Sequence, residues 1–360
     1  MEQKKILIAL PCLIPSGGIN VVIDLIEVLQ KMGYFVGLLS REKGDLYDRF
    51  CALGIDIRIE PNILDDTLVS WILDNYDEVF VNTLQMFGMI YKLNGKDIEV
   101  KWWIHEPPLF FSQYSEAVPQ AFWDNLSENV RVYAAGQVVH EHLLQTYGKE
   151  SDILNFGIKD LAKEVPDKAS DIVSQDRVTF LLPSVVFQHI KGQDILALAI
   201  LNLPEEYQDR TEFIFTGRKS EYSEDYYDAI KELEKEKQNV KILDLLEHAE
   251  MLALMKQVDC IVAPSRNDAT NACIVEGMML SKLCISSDAA GISRYMQDCV
   301  NGFVFHNCDV GELSARIMLV VDNMERLGVV AANGRKVYEQ VFSIETFEKN
   351  VRKYWAAPEV

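Results

Sequence analysis

A basic excess is missing from this 360-residue chain: 35 lysines and arginines stand against 55 aspartates and glutamates, a net charge of −20. That balance argues against a nucleic-acid binder, which needs a basic face for phosphate backbones. It also disfavours broad adsorption to an anionic membrane. The seven cysteines form no C-x-x-C pair and no metal-ligand spacing, so they read as small buried hydrophobes in a reducing compartment. No apolar run approaches the length that spans a bilayer. The short apolar run after Lys4 and Lys5 reads as a strand, and no signal peptide is expected. Asp-x-Asp pairs, G-x-G-x-x-G, internal repeats and low-complexity segments are absent. What remains is a globular chain, too long for one average domain and comfortable for two.

What is present centres on residues 258–302. Residues 258–263 are a short apolar run rich in branched side chains, read as a buried parallel strand and stopped by Pro264 and Ser265. A polar loop, 266–270, precedes a helical pattern over 271–280, with Ala272, Val275, Met278 and Met279 on one side. The next strand starts at Cys284. The loop therefore lies at the carboxyl end of a strand, where open α/β sheets bind ligands. Free N–H groups at Thr270, Asn271 and Ala272, with the helix dipole, make an anion site. Asp268 and Glu276 flank it. Such a set suits phosphates between two hydroxyl-bearing ends, as in a sugar nucleotide. A plainer reading stays open on spacing alone, with Asp268 a turn or cap residue and Glu276 on a solvated face.

The rest of the chain alternates strands and helices. Strands are read at 5–10, 34–40, 58–61, 78–82, 100–104 and 130–135, and again at 178–182, 211–216 and 240–243. Ile19, Val22, Ile23, Ile26 and Leu29 form the inward stripe of a helix over 19–32. Its entrance carries Gly17-Gly18, but the following strand ends in Ser40-Arg41 rather than an acid, so no dinucleotide site is read. His105 follows Trp102-Trp103-Ile104 and falls at a sheet's carboxyl edge, and Glu106 beside it is a candidate acid. His140 and His142 do not share a helix face and are not read as metal ligands. Residues 158–177 are charged, include Asp167 and Lys168, and read as a linker. A charged helix is read over 222–238. The last helix, from residue 343, has Ile344, Phe347, Val351 and Tyr354 as its stripe.

These motifs resemble a family: the retaining glycosyltransferases of the GT-B fold, family 4. The resemblance rests on Pro264-Ser265, then Asp268, seven residues, Glu276 and Gly277-Met278. It continues through Ser286-Ser287-Asp288-Ala289-Ala290-Gly291 and Asn301-Gly302-Phe303-Val304. Lys191-Gly192 matches the family's Lys-Gly, whose lysine contacts the donor diphosphate. Two departures stand out. The first acid is Asp where the family has Glu, and the arginine five or six residues before the lysine is replaced by Val186 and Val185. His189 or Arg266 would supply part of that charge.

The resemblance implies an α/β chain of GT-B fold, two Rossmann-like doubly wound domains facing across a cleft. Residues 1–158 are the acceptor-side domain, 159–176 the linker, 177–342 the nucleotide-sugar domain and 343–360 a helix crossing back to the first domain. The implied reaction is metal-independent transfer, with retention, from a nucleotide-diphospho-sugar to a sugar or lipid-linked glycan acceptor. His105, Lys191 and Asp268 are the implied catalytic residues. Gly17, Gly18, Gly217, Arg218, Arg266, Thr270, Asn271, Ala272 and Glu276 are implied on the donor. Asp268 would hold sugar hydroxyls, Glu276 the ribose diol, and Lys191 with the helix-start amides the leaving phosphate. The nucleotide sugar is a co-substrate, and no cofactor or metal is expected. The implied setting is cytoplasmic polysaccharide biosynthesis, with peripheral contact at the inner membrane face left open. The loop Asp244-Leu245-Leu246 is where the family holds the base through backbone groups, so the base itself is unread. Two other readings use the same residues. One is a glycoside hydrolase with Asp268 and Glu276 as its acid pair. The other is a degenerate, non-catalytic transferase that binds a nucleotide or another subunit.

Overall fold

Short runs of branched and aromatic residues, buried on both faces, build two parallel sheets. The computed structural model describes residues 3–166, 172–219 and 224–355. Part of the expected linker, including Asp167 and Lys168, and the expected helix start at Tyr222 lie outside them.

The chain divides into two units, Met1–Gly157 with Ile344–Val360, and Ile158–Ser343. The first unit holds β1 (Lys5–Leu10), β2 (Phe35–Ser40), β3 (Asp56–Ile59), β4 (Glu78–Asn82), β5 (Glu99–Ile104), β6 (Val130–Ala134) and β7 (Asp152–Ile153). Their order is β3-β2-β1-β4-β5-β6-β7. The second unit holds β8 (Val178–Leu182), β9 (Thr211–Thr216), β10 (Val240–Leu243), β11 (Cys260–Ala263), β12 (Leu283–Ser287) and β13 (Phe303–Phe305), in the order β10-β9-β8-β11-β12-β13. Every pairing is parallel, in register such as Ile6 with Val36 and Glu78, or Cys260 with Leu283 and Phe180. In each sheet the order reverses beside the first strand, between β1 and β4 and between β8 and β11. The crevice beyond the carboxyl ends at such a switch is where doubly wound sheets take ligands. Both units are thus Rossmann-like.

Cores follow from the same runs. Ile6 to Leu10 are fully buried, and Phe180 stacks on Phe213 at 5.2 Å in the second sheet. The helix expected from residue 19 begins at Gly17 and ends at Lys31. A first helical turn needs no acceptor for its own N–H groups, so glycines can open it although the apolar stripe starts at Ile19.

Residues 159–166 were expected as linker, yet they lie along the second unit. The Asp160 carboxylate pairs with both terminal nitrogens of Arg335. Val165 is buried, and the Lys256 ammonium donates to the carbonyls of Ala162 and Val165 at 3.2 and 2.6 Å. Charges that look like solvated linker in sequence are here ion-pair partners. The closing helix Ile344–Trp355 packs within the first unit, Phe347 beside Trp103 at 6.2 Å and Trp355 over Phe80 at 5.6 Å. Among the described residues, no helix is long and apolar enough to cross a membrane.

Candidate active site

At the carboxyl end of β8 the chain makes a short turn, His189–Lys191, into Gly192 at φ +72°. A Cβ on Gly192 would stand 2.0 Å from the Pro264 carbonyl oxygen. Only glycine both takes that left-handed angle cheaply and lets this turn lie against the end of β11. The turn delivers Lys191 Nζ to Asp268 Oδ2 at 2.9 Å. Burial acts to lower the ammonium's pKa, but the charge and hydrogen bond of Asp268 outweigh it and hold the group above its ordinary value. Lys191 therefore stays charged, with ammonium donors left over for a ligand.

Asp268 is held from several sides. Asn271 Nδ2 donates to its Oδ2 at 3.2 Å. Its own carbonyl accepts from Gly291 N at 2.9 Å, and Ile292 N donates to the Thr270 carbonyl at 2.7 Å. These bonds lace the loop after β12 to the loop after β11. They need glycine at 291, where a Cβ would fall 1.8 Å from the Ala269 carbonyl oxygen.

The helix after this loop runs Ala272–Met279, one residue later than its spacing suggested. Asn271 is the cap: it sits at φ +84°, a region asparagine tolerates, and its side chain accepts from Ile274 N at 3.2 Å. Thr270 N lies 3.4 Å from Asp268 Oδ1. The first-turn amides of Ala272 and Cys273 are the ones that point beyond the helix without an intrahelical acceptor. Lys191, Asp268, Thr270 and Asn271 are thus one network, with Ala272 opening the helix beside it, at the switch point of the second sheet.

Glu276 lies further along this helix, and its Oε1 is 2.7 Å from His248 Nε2. Arg266 is in the loop but turned elsewhere. Its two terminal nitrogens hold Asp194 at 2.8 and 2.6 Å, and one of them also donates to the His189 carbonyl at 2.6 Å. That clamp joins the loop after β11 to the helix Gln193–Leu201 behind Lys191, which makes Arg266 a positioning residue in this structure. Gly217 and Arg218 follow β9. The Arg218 backbone is bonded on both sides to the segment before Lys191, its N–H to the Val185 carbonyl and its carbonyl to Phe187 N, each 3.0 Å. Its side chain is exposed, and its guanidinium has no partner among the described residues. Val185 and Val186, which stand where the resemblance would place an arginine, thus have Arg218 beside them in an isolated bridge just beyond β9.

His105, Gly17 and Gly18 cluster in the first unit. The His105 ring lies against Gly18 and against Trp103, with ring centroids 4.1 Å apart. Asn82, fully buried, donates from Nδ2 to the Gly18 carbonyl at 2.8 Å. The Glu106 carboxylate accepts from Leu84 N at 2.9 Å and from His105 N at 3.1 Å, tying the turn after β4 to the end of β5. Thr83 in that turn sits at φ +75°, a conformation costly for a β-branched residue. Burial pushes the Glu106 carboxyl up against these bonds.

Burial also pushes the His105 pKa down to about 3, and its enclosed Nε2 has no partner among the described residues. The folded protein therefore keeps this imidazole neutral, whereas the unfolded chain protonates it near 6.5. Between those values the unfolded state binds more protons, so the contribution is complete above the upper value and is lost as pH falls toward the lower. From pH 7 to pH 5 the loss is roughly 2 kcal/mol. Urea unfolding of wild type and His105→Gln at both pH values should show that much extra acid sensitivity in the wild type. Equal sensitivity would mean that the ring is not held neutral.

Sequence reasoning passed over His248, Asp194 and Asn82. His248 stands at the start of a helix and Asp194 in a first turn, and nothing local names their partners.

Residues 167–337 match the family described as Glycosyl transferases group 1. A segment of 117 residues is 26% identical to an uncharacterized glycosyltransferase of Methanocaldococcus jannaschii. That match spans about a third of each protein, 32% of this chain and 33% of the relative. In fold the chain is similar to Anabaena HepE, solved in complex with UDP, with a TM-score of 0.82 at 18% identity over 97% of this chain and 99% of that one. A glycosyltransferase of Rickettsia africae gives 0.78 at 16% identity, with 98% of both chains covered. WaaG, a glycosyltransferase involved in lipopolysaccharide biosynthesis, gives 0.71 at 13%, covering 98% of this chain and 100% of that one. The family match covers most of the second unit, and the likeness to these solved structures, which covers both units, shows the GT-B fold.

Proposed function

We propose that this protein is a family 4 enzyme that moves a sugar from a nucleotide-diphospho-sugar to a glycan or lipid-linked glycan acceptor. It does so with retention at the anomeric carbon and without a divalent metal or further cofactor. The observation that carries the reading is the ion pair of Lys191 and Asp268 beside the amide-bearing start of the helix that also carries Glu276. A diphosphate placed there meets an ammonium, two backbone N–H groups and the exposed guanidinium of Arg218. Fixed donors of this kind stabilise the charge that builds on a leaving phosphate. Arg218 takes the place of the arginine that Val185 and Val186 lack. Asp268, within reach of the same ammonium, orients the transferred sugar, and Glu276 takes the ribose hydroxyls. Retention follows the resemblance in sequence. The HepE structures, in complex with UDP and with UDP-glucose, make UDP the first probe.

Calorimetry with UDP, GDP and ADP tests this. One of them should bind the wild type, and Glu276→Ala should abolish most of that affinity. Arg218→Ala should weaken the diphosphate by about tenfold or more, the value of a hydrogen bond to a charged group, and leave the free nucleoside unaffected. A wild type that binds none of the three would remove the donor site and favour the non-catalytic reading.

A further inference from the structure

Glu276 is accompanied by a residue that no motif marks. His248 opens the helix His248–Gln257, whose cap is reciprocal: Glu247 accepts from the N–H of Glu250, and Glu250 Oε2 accepts from Glu247 N at 3.0 Å. That cap fixes the helix start, so the imidazole is aimed from a rigid base. Its Nε2 meets Glu276 Oε1 at 2.7 Å. A carboxylate only accepts, so Nε2 carries the proton in this pair. The two side chains differ sharply in exposure, 64% for His248 and 14% for Glu276. An exposed histidine contributes little to a core. What it does here is restrain a recessed carboxylate whose terminal torsion is otherwise broad and two-fold. Glu276 Oε2 keeps no partner among the described residues.

We propose that His248 is a positioning residue for ribose recognition: it holds Glu276 by one oxygen so that the other accepts from the hydroxyls of a nucleoside diphosphate. The inference rests on the donor-site reading above. Glu276 enters binding already oriented, and the ordering cost of one flexible side chain is removed beforehand. His248 itself does not touch the ribose, so its effect passes only through Glu276 and vanishes when the ligand has no hydroxyls for Glu276 to hold.

The test is calorimetry with UDP, GDP and ADP and their 2′,3′-dideoxy forms, on wild type, His248→Ala and His248→Gln. For whichever ribonucleotide binds, His248→Ala should weaken it about fivefold, the scale of one net hydrogen bond, while the dideoxy form is unchanged. His248→Gln, whose amide can still donate to Glu276, should recover most of the loss. If His248→Ala weakens both forms equally, or neither, or if glutamine does not rescue, this inference falls and the donor site stands. If no nucleotide binds the wild type, the donor-site reading falls and takes the inference with it.

Discussion

Replacing Lys191 with alanine is expected to lower the turnover of the sugar donor by about two to three orders of magnitude, the cost of removing one fixed donor aimed at developing charge. The argument runs from geometry to charge. The ammonium stands 2.9 Å from Asp268, and that carboxylate keeps it protonated despite burial. As a sugar–phosphate bond breaks, negative charge grows on the diphosphate, and an ammonium already in place needs no reorganisation to meet it. The substitution removes that charge and also frees Asp268 from its partner, so sugar orientation suffers as well. The fold should barely respond. The Lys191 side chain is 36% exposed, and ion pairs of that kind contribute about 0–1 kcal/mol. The measurement is nucleotide release from whichever of UDP-, GDP- and ADP-glucose the wild type turns over, with thermal unfolding as the control. A variant with unchanged kcat and a raised KM would show that Lys191 binds ground state and transition state alike.

Much of the architecture is legible locally because it is encoded locally. The apolar runs at 5–10 and 178–182 have strand length, the stripe from Ile19 to Leu29 has helical period, and each falls on the element it announces. The loop at the carboxyl end of β11 follows from the same patterns. Pairings that set the site's electrostatics are different in kind. Arg266 finds Asp194 across 72 positions, Asp160 finds Arg335 across 175, and His248 finds Glu276 across 28. Periodicity carries no information about such partners. Arg266 accordingly reads as a free cation in sequence and is a clamp in the structure. Arg218 reads as a residue at a strand end and emerges without a partner among the described residues, beside the segment that lacks an arginine. Backbone angles are equally silent: neither the left-handed cap at Asn271 nor the strained Thr83 follows from composition, since both are imposed by the loops that enclose them.

A second large effect is expected far from this chemistry, in the first unit. Lys101 stands between the apolar Val100 and Trp102 of β5, and its ammonium is enclosed, bonded to Glu78 at 2.5 Å and to Glu99 at 2.8 Å and lying 5.0 Å from the Trp355 ring. Lys101 and Glu78 side chains are 2% and 1% exposed. Taking both charges out of water costs nearly what their attraction returns, so the pair itself adds little. Breaking it is another matter. Lys101→Ala leaves Glu78 buried without a counter-charge and should destabilise the unit by about 3–5 kcal/mol. Burial already pushes the Glu78 carboxyl up, and Lys101 opposes that; without the lysine the folded-state pKa rises further. A raised folded pKa means that the native variant holds a proton the unfolded chain has released. Its stability is therefore greatest below the ordinary carboxylate value and falls as pH rises through the folded one. Replacing both partners with apolar residues, Lys101→Met with Glu78→Leu, should recover most of the loss, because no charge is left behind. The readout is unusually clean: all five tryptophans, Trp71, Trp102, Trp103, Trp123 and Trp355, belong to the first unit, so fluorescence in urea follows its unfolding alone. A single variant as stable as wild type, or a double variant as weak as the single, would show that the pair holds the strand by more than charge balance.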